Sequence, residues 1–231
     1  MRINKFLAKS GLGSRRKVEQ LILSGKITVN GQITRDLATQ IDPKDSVFFE
    51  GRQIFCNPKI LYYALHKPVG YTSTVSDPHA SKTVMDFIEK KAGFFPVGRL
   101  DRDSRGLIII TNDGDFAQKV SHPSSHHEKE YRVEVRLPEK DATHSLDRAL
   151  RFFKCGVKLH NRKTLPAQIQ LLAVERGYAI FKIILKEGKK RQIRRVFEKA
   201  NLEVTDLLRT RIGQIELGDL QPGEFREFRL S

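Results

Sequence analysis

The run Phe95-Pro96-Val97-Gly98-Arg99-Leu100-Asp101-Arg102-Asp103-Ser104-Arg105-Gly106 sets one carboxylate, Asp101, among Arg99, Arg102 and Arg105. It leads directly into the apolar stretch Leu107-Ile108-Ile109-Ile110. Guanidinium groups near a carboxylate favour its ionised form and also suit a polyanionic ligand. A charged carboxylate on a turn beside a rigid strand can serve as a nucleophile or a base. The same pattern describes a surface salt-bridge turn, so the local residues alone leave both readings open.

The charge balance narrows the partner. The chain of 231 residues has 42 Lys and Arg against 27 Asp and Glu, a formal net charge of +15. Such an excess suits nucleic acid, whose phosphates reward clustered cations. The excess is concentrated: residues 1–35 hold eight Lys or Arg against Glu19, and residues 186–199 hold seven against Glu187 and Glu198. The longest apolar runs are strand-sized, and no apolar leader follows Met1-Arg2-Ile3-Asn4-Lys5, so the expectation is a cytoplasmic protein with no membrane partner. Cys56 and Cys155 fit no motif and read as separate reduced thiols.

The elements that must position these residues fall into two blocks. A helix from Ile3 is broken at Gly11-Leu12-Gly13, and Ser14 is placed to cap a second helix over 15–23. Ile27-Thr28-Val29 reads as a strand turned by Asn30-Gly31, and Val47-Phe48-Phe49 as another. This predicts a small unit over residues 1–50, a connector over 51–59 and a larger domain over 60–231. In the larger block, strands are predicted at 61–65, 107–111, 131–137, 167–174 and 178–185, the last two as a hairpin across Glu175-Arg176-Gly177. Helices are predicted at 83–91, 146–153 and 192–200, and the tail reads as short strands punctuated by Gly213, Gly218 and Gly223. Without regular strand–helix alternation, the fold class is α+β on an antiparallel or mixed sheet.

The first block carries Arg15-Arg16-Lys17 on the opening turn of its second helix, where the helix dipole disfavours cations. That placement suits an anionic partner. The string Arg2-Ile3-Asn4-Lys5-Phe6-Leu7, Ser10-Gly11, Ser14-Arg15-Arg16 and Gly25-Lys26-Ile27-Thr28-Val29-Asn30-Gly31 resembles the alpha-L, or S4-like, RNA-binding domain. The resemblance implies binding to structured RNA, with Arg15, Arg16, Lys17 and Lys26 as phosphate contacts.

Four further strings share an order with one enzyme family. Leu65-His66-Lys67-Pro68-Val69-Gly70, Gly98-Arg99-Leu100-Asp101 with Gly106-Leu107, Glu128-Lys129-Glu130-Tyr131-Arg132-Val133, and Glu187-Gly188-Lys189-Lys190-Arg191-Gln192-Ile193-Arg194-Arg195 resemble the motifs of RsuA-type ribosomal RNA pseudouridine synthases. His66 stands where the family usually has Asn. The resemblance implies that uracil is detached from its ribose, rotated and rejoined through C5, with no cofactor and no metal. It makes Asp101 the reactive carboxylate, able to attack C6, add to C1′ or take a ribose proton. Tyr131 would stack on the base and assist proton transfer, and Arg194 would pair with Asp101. Leu185 would line the pocket, while Arg99 would fill the space left by the flipped base. Lys189, Lys190, Arg191 and Arg195 would clamp the RNA backbone.

The strings sit closer to large-subunit than to small-subunit rRNA members, so the partner expected is ribosomal RNA or a pre-ribosomal particle, bound by a monomer. Small-subunit rRNA or tRNA as target, and a non-catalytic RNA-binding assembly factor, are the alternatives. Two other patterns rank lower. His122, His126 and His127 lack a completing ligand for a metal, and Asn112-Asp113-Gly114-Asp115 reads as a turn and helix cap.

Overall fold

The computed structural model describes residues 1–56, 59–88, 93–122, 127–159 and 162–230. The chain opens with α1 (Ile3–Lys9) and α2 (Arg15–Leu23), then β1 (Ile27–Val29), β2 (Gln32–Ile33), β3 (Val47–Phe49) and β4 (Arg52–Ile54). Ile3 and Leu7 on α1, and Val18 and Ile22 on α2, repeat at helical spacing and meet Ile27, Ile41 and Val47 in a core of their own. The Ser14 side chain accepts the Lys17 N–H and caps α2 as expected. Asn30 and Gly31 both have positive φ (52° and 82°), the geometry of a tight hairpin turn between β1 and β2. The strands form an antiparallel sheet in the order β2-β1-β3-β4. Residues 52–54, expected in the connector, thus extend the small sheet by pairing with β3.

The larger part is α+β. It contains β5 (Tyr62–Lys67), a 3₁₀ turn at Val84–Phe87, β6 (Phe95–Val97), β7 (Arg105–Thr111) and α3 (Gly114–Ser121). Next come β8 (Lys129–Arg136), α4 (Ala142–Cys155), β9 (Lys158–Leu159), β10 (Arg162–Lys163), β11 (Gln168–Glu175) and β12 (Tyr178–Leu185). It ends with α5 (Gln192–Lys199), β13 (Glu203–Ile212), β14 (Ile215–Glu216) and β15 (Phe225–Phe228). One mixed sheet runs β11-β12-β8-β13-β7-β5-β15, with β6 and β14 attached to β7 and β13. Among these pairings β7 with β13 is parallel and the rest are antiparallel.

Residue pattern accounts for where each strand sits. On β8 and β12, Tyr131, Val133 and Val135 alternate inward with Ala179, Phe181, Ile183 and Leu185, and α4 and α5 cover that face. β7 is covered on both sides, so its apolar run is continuous: Ile108 and Ile110 pack with Tyr63, Leu65 and Val84, Leu107 and Ile109 with Ala64, Val97 and Val120.

In the larger domain three expectations change. The helix over 83–91 shortens to the 3₁₀ turn, which a reciprocal Thr83–Asp86 capping box opens and which ends where Ile88 turns extended; residues 89–91 of that expectation lie outside the described residues. The helix at 146–153 extends to α4. The tail, read as short strands, holds the ten-residue β13 in mid-sheet. Its charged Asp206, Arg209 and Arg211, and register shifts at 204/206 and 209/211, break the alternation that would have marked a long strand.

Candidate active site

The segment between β6 and β7 is held by its own backbone. The Arg99 carbonyl accepts from Arg209 Nη1 at 3.2 Å, and Leu100 exchanges two hydrogen bonds with the Ser73 hydroxyl (2.8 and 3.0 Å). The Asp101 carbonyl accepts the Ser104 N–H at 3.1 Å, closing a turn, and Arg102 exchanges backbone and side-chain bonds with Gly70 at 2.8 and 3.1 Å. The Asp103 carbonyl takes Arg194 Nη2 at 2.8 Å, and that of Ser104 takes Lys67 Nζ at 2.6 Å. All six carbonyls from 99 to 104 are therefore engaged, that of Asp101 within the turn and the other five by groups drawn from distant parts of the chain. At the end of this turn β13 comes so close that a Cβ on Gly106 would lie 2.4 Å from the Arg209 carbonyl oxygen.

On this braced turn the half-buried Asp101 carboxylate makes no hydrogen bond or ion pair with a described residue. The surrounding arginines do not pair with it. Arg105 forks onto Asp206 at 2.7 and 2.8 Å, Arg102 bonds the Gly70 carbonyl, and Arg99 stands exposed at the cleft edge. Arg194, expected on Asp101, lies on Asp103 instead: its Nε is 3.3 Å from that carboxylate, which Arg191 also holds at 3.0 Å. The reason is geometric. The Asp103 carbonyl and carboxylate both face the opening turn of α5, and the Arg194 Nη1 is tied to the Val204 carbonyl at 3.0 Å. Burial pushes the Asp103 carboxyl up, but the Arg191 hydrogen bond and the charges of both arginines outweigh it, leaving it below the usual range.

The turn borders a cleft of about 410 Å³ that brings together Asp101, Tyr131, Arg194, Leu185 and Arg99. Tyr131 projects from β8, with Ile183 of β12 and Arg209 of β13 beside it in register. Lys189, Lys190 and Arg191 line the same cleft, with Lys189 tied to Glu187, whereas Arg195 lies on α5 outside the lining. His122 and His127 border the cleft; His126 lies outside the described residues. Arg15, Arg16 and Lys17 are exposed at the start of α2, and Lys26 is exposed but paired with Glu50 at 2.8 Å. Asp113 caps α3, as its turn sequence suggested.

Sequence reasoning missed four contributors. Lys67 is fully buried and bonded to the Pro68 and Ser104 carbonyls, with burial lowering its pKa to about 8. Ser73 holds Leu100. Lys129 lines the cleft, and its position gives it away: two residues before Tyr131 on a strand puts it on the same face. Arg209 lines it too, from a stretch with no motif of its own.

A basic RNA-binding-like unit joined to an α+β domain, with a bare carboxylate and an aromatic ring in a cation-rich cleft, has the build of an RNA-base-modifying enzyme. Comparison makes the class specific. Residues 61–199 match the RNA pseudouridylate synthase family and residues 1–47 the S4 domain. The ribosomal large subunit pseudouridine synthase B of Bacillus subtilis is 35% identical over 98% of this chain and 91% of its own length. The dual-specificity RNA pseudouridine synthase of Salmonella typhi is 35% identical over 98% of this chain and 75% of its own. A crystal structure of a pseudouridylate synthase superposes with a TM-score of 0.67 at 26% identity, covering 99% of this chain and 96% of that one. The chain belongs to the RNA pseudouridylate synthase family and is an isomerase that forms pseudouridine from uridine in RNA.

Proposed function

We propose that this enzyme isomerises a uridine of large-subunit ribosomal RNA, acting as a monomer in the cytoplasm. The S4-like unit, residues 1–50 extended by β4 to residue 54, docks on the RNA, and the domain from residue 60 carries the chemistry. Asp101 is the reactive group, Tyr131 packs against the flipped uracil, and Leu185 supplies the apolar wall. Arg99 takes the vacated place in the stack. Arg194 acts through Asp103: it locks the turn that presents Asp101, and so works as a positioning residue. Arg15, Arg16, Lys17, Lys189, Lys190, Arg191 and Arg195 contact phosphates, with Lys26 joining them by exchanging Glu50 for RNA.

The observation that carries this reading is the contrast within one turn: every carbonyl from 99 to 104 is bonded, while the Asp101 carboxylate is left without a partner among the described residues. A group pre-positioned at this cost to the surrounding chain suits attack on a substrate better than it suits surface charge balance. The large-subunit target is supported by the name of the Bacillus subtilis relative. The cytoplasmic placement rests on that target, since the enzyme must share a compartment with ribosomal RNA.

The decisive experiment pairs two measurements. Pseudouridines are mapped in rRNA from cells with and without the gene, and the site found is tested in vitro with Asp101→Asn. The substitution should abolish product while leaving RNA affinity within about two-fold, because it removes the charge and keeps the shape. Product formation by the variant would refute the role of Asp101, and an unchanged large-subunit map would refute the target.

A further inference from the structure

We propose that Lys129 and Arg209 form a cationic floor in the Asp101 cleft that holds the uracil anion released when its N1–C1′ bond breaks. The proposal rests on the assignment of this cleft as the site of pseudouridine formation. Both side chains line the cleft, and Arg209 pairs through its backbone with Tyr131 across β13 and β8.

Arg209 is 2% exposed. Its Nε donates to the Leu107 carbonyl at 2.7 Å and its Nη1 to that of Arg99 at 3.2 Å, which leaves Nη2 buried with no hydrogen-bond partner among the described residues. Among those residues Lys129 reaches only the His127 carbonyl, at 3.4 Å, and makes no ion pair. Burial lowers its pKa, and the nearby charge of Arg209 lowers it further. The acids beside it in sequence are engaged elsewhere. Glu128 faces Arg211 (3.2 Å) and Lys186 (3.9 Å), and Glu130 faces Lys182 (3.0 Å) and Arg211 (3.5 Å). Of the carboxylates lining the cleft, Glu187 is taken by Lys189, Gln192 and the Leu165 N–H, and Asp101 pairs with neither cation. Two desolvated cations without a counterion weaken the fold unless an anion visits them.

The reaction supplies one. When the glycosidic bond breaks, its electron pair stays on N1, and the negative charge spreads over N1, O2 and O4 of the ring. Positive charge at C1′ is met by the Asp101 carboxylate, through a C1′–O bond or by removal of the C2′ proton. Either route makes the same uracil anion. After the ring turns, C5 forms the new bond to C1′, and the C1′–O bond opens or the C2′ proton returns. The C5 proton then leaves to a base in the cleft and N1 gains a proton, so product and substrate are isomers. Fixed cations beside the carbonyl oxygens favour the anion over the neutral base, which lowers the barrier to bond breaking.

The test uses the full-length enzyme in single-turnover reactions with RNA fragments carrying either uridine or 5-fluorouridine at the mapped site. Loss of the N-linked nucleoside is read by nuclease digestion and mass spectrometry. Fluorine at C5 makes uracil a better leaving group, less dependent on outside cations. Lys129→Met should slow the uridine substrate about 10²-fold, comparable to removing one oxyanion donor. It should slow the fluorinated one much less, with RNA affinity little changed and the melting temperature unchanged or raised, and Lys129→Arg should recover most of the rate. Equal slowing of both substrates, no slowing, or a loss confined to RNA affinity would overturn the proposal. Asp101→Asn is run in parallel. If it is inactive while Lys129→Met runs at full rate, the cationic floor alone fails; if it is active, the site assignment fails as well.

Discussion

Lys67 shows how a single buried residue can brace the turn that carries Asp101. Its amine has no exposed surface and bonds the Pro68 and Ser104 carbonyls, which ties the strand before the Lys67-Pro68 turn to the turn that carries Asp101. Burial lowers its pKa from 10.5 to about 8, with Asp103 and Asp101 pulling in the other direction. Between those values the unfolded chain holds more protons at this position than the folded one, so the Lys67 contribution to stability rises as pH climbs from about 8 to 10.5. The neutral amine still has hydrogens for both carbonyls, so the brace survives deprotonation. Urea unfolding of wild type and Lys67→Met across this range should show a stability difference that shifts in favour of wild type with rising pH. A pH-independent difference would count against the buried ammonium.

At the scale of the element, α5 links the core to the turn that carries Asp101. Ile193, Val196 and Phe197 recur at helical spacing and are buried, with the Phe197 ring tilted against those of Phe153 and Phe181 at separations of 5.1 and 5.2 Å. The same helix carries Arg194, and Arg191 precedes it, so packing on one face fixes where the guanidinium groups meet Asp103. Phe197→Ala should cost about 3–5 kcal/mol of stability. It should also lower the single-turnover rate more than RNA affinity, since the turn under Asp101 loses its anchor while the exposed cations remain. Denaturant titration and RNA-binding assays on one preparation would check both. A variant of unchanged stability would show that the aromatic cluster does not hold the helix.

For the whole molecule, the small unit has its own apolar core, separate from those of the larger domain. Lys5 and Lys9 of α1 reach Asp115 on α3 at 2.6 and 3.2 Å. Exposed pairs of this kind contribute about 0–1 kcal/mol and weaken with salt, so the larger domain does not depend on them to fold. Removing residues 1–58 should leave a cooperatively unfolding remainder that binds large-subunit rRNA transcripts more weakly. The slope of log K against log salt should flatten by about 0.7–0.9 for each phosphate that is no longer neutralised. An unchanged slope would show that the basic first unit does not touch RNA.

Much of this protein was legible in short-range pattern. The Ser14 cap, the Asn30-Gly31 turn, the doubly buried run of β7 and the inward alternation of β8 and β12 are local signals, read within a turn or a few residues. The family resemblance likewise picked out Asp101, Tyr131, Leu185 and Arg194, all of which border one cleft. Tertiary structure decided the partners. Arg194 meets Asp103 across 91 positions of chain, Arg209 holds Arg99 across 110, and Lys67 reaches Ser104 across 37. Such choices depend on how β13, β7 and α5 converge. Local periodicity determines which face of an element is apolar, but the partner of a buried charge is set by whatever the rest of the fold brings within hydrogen-bond reach.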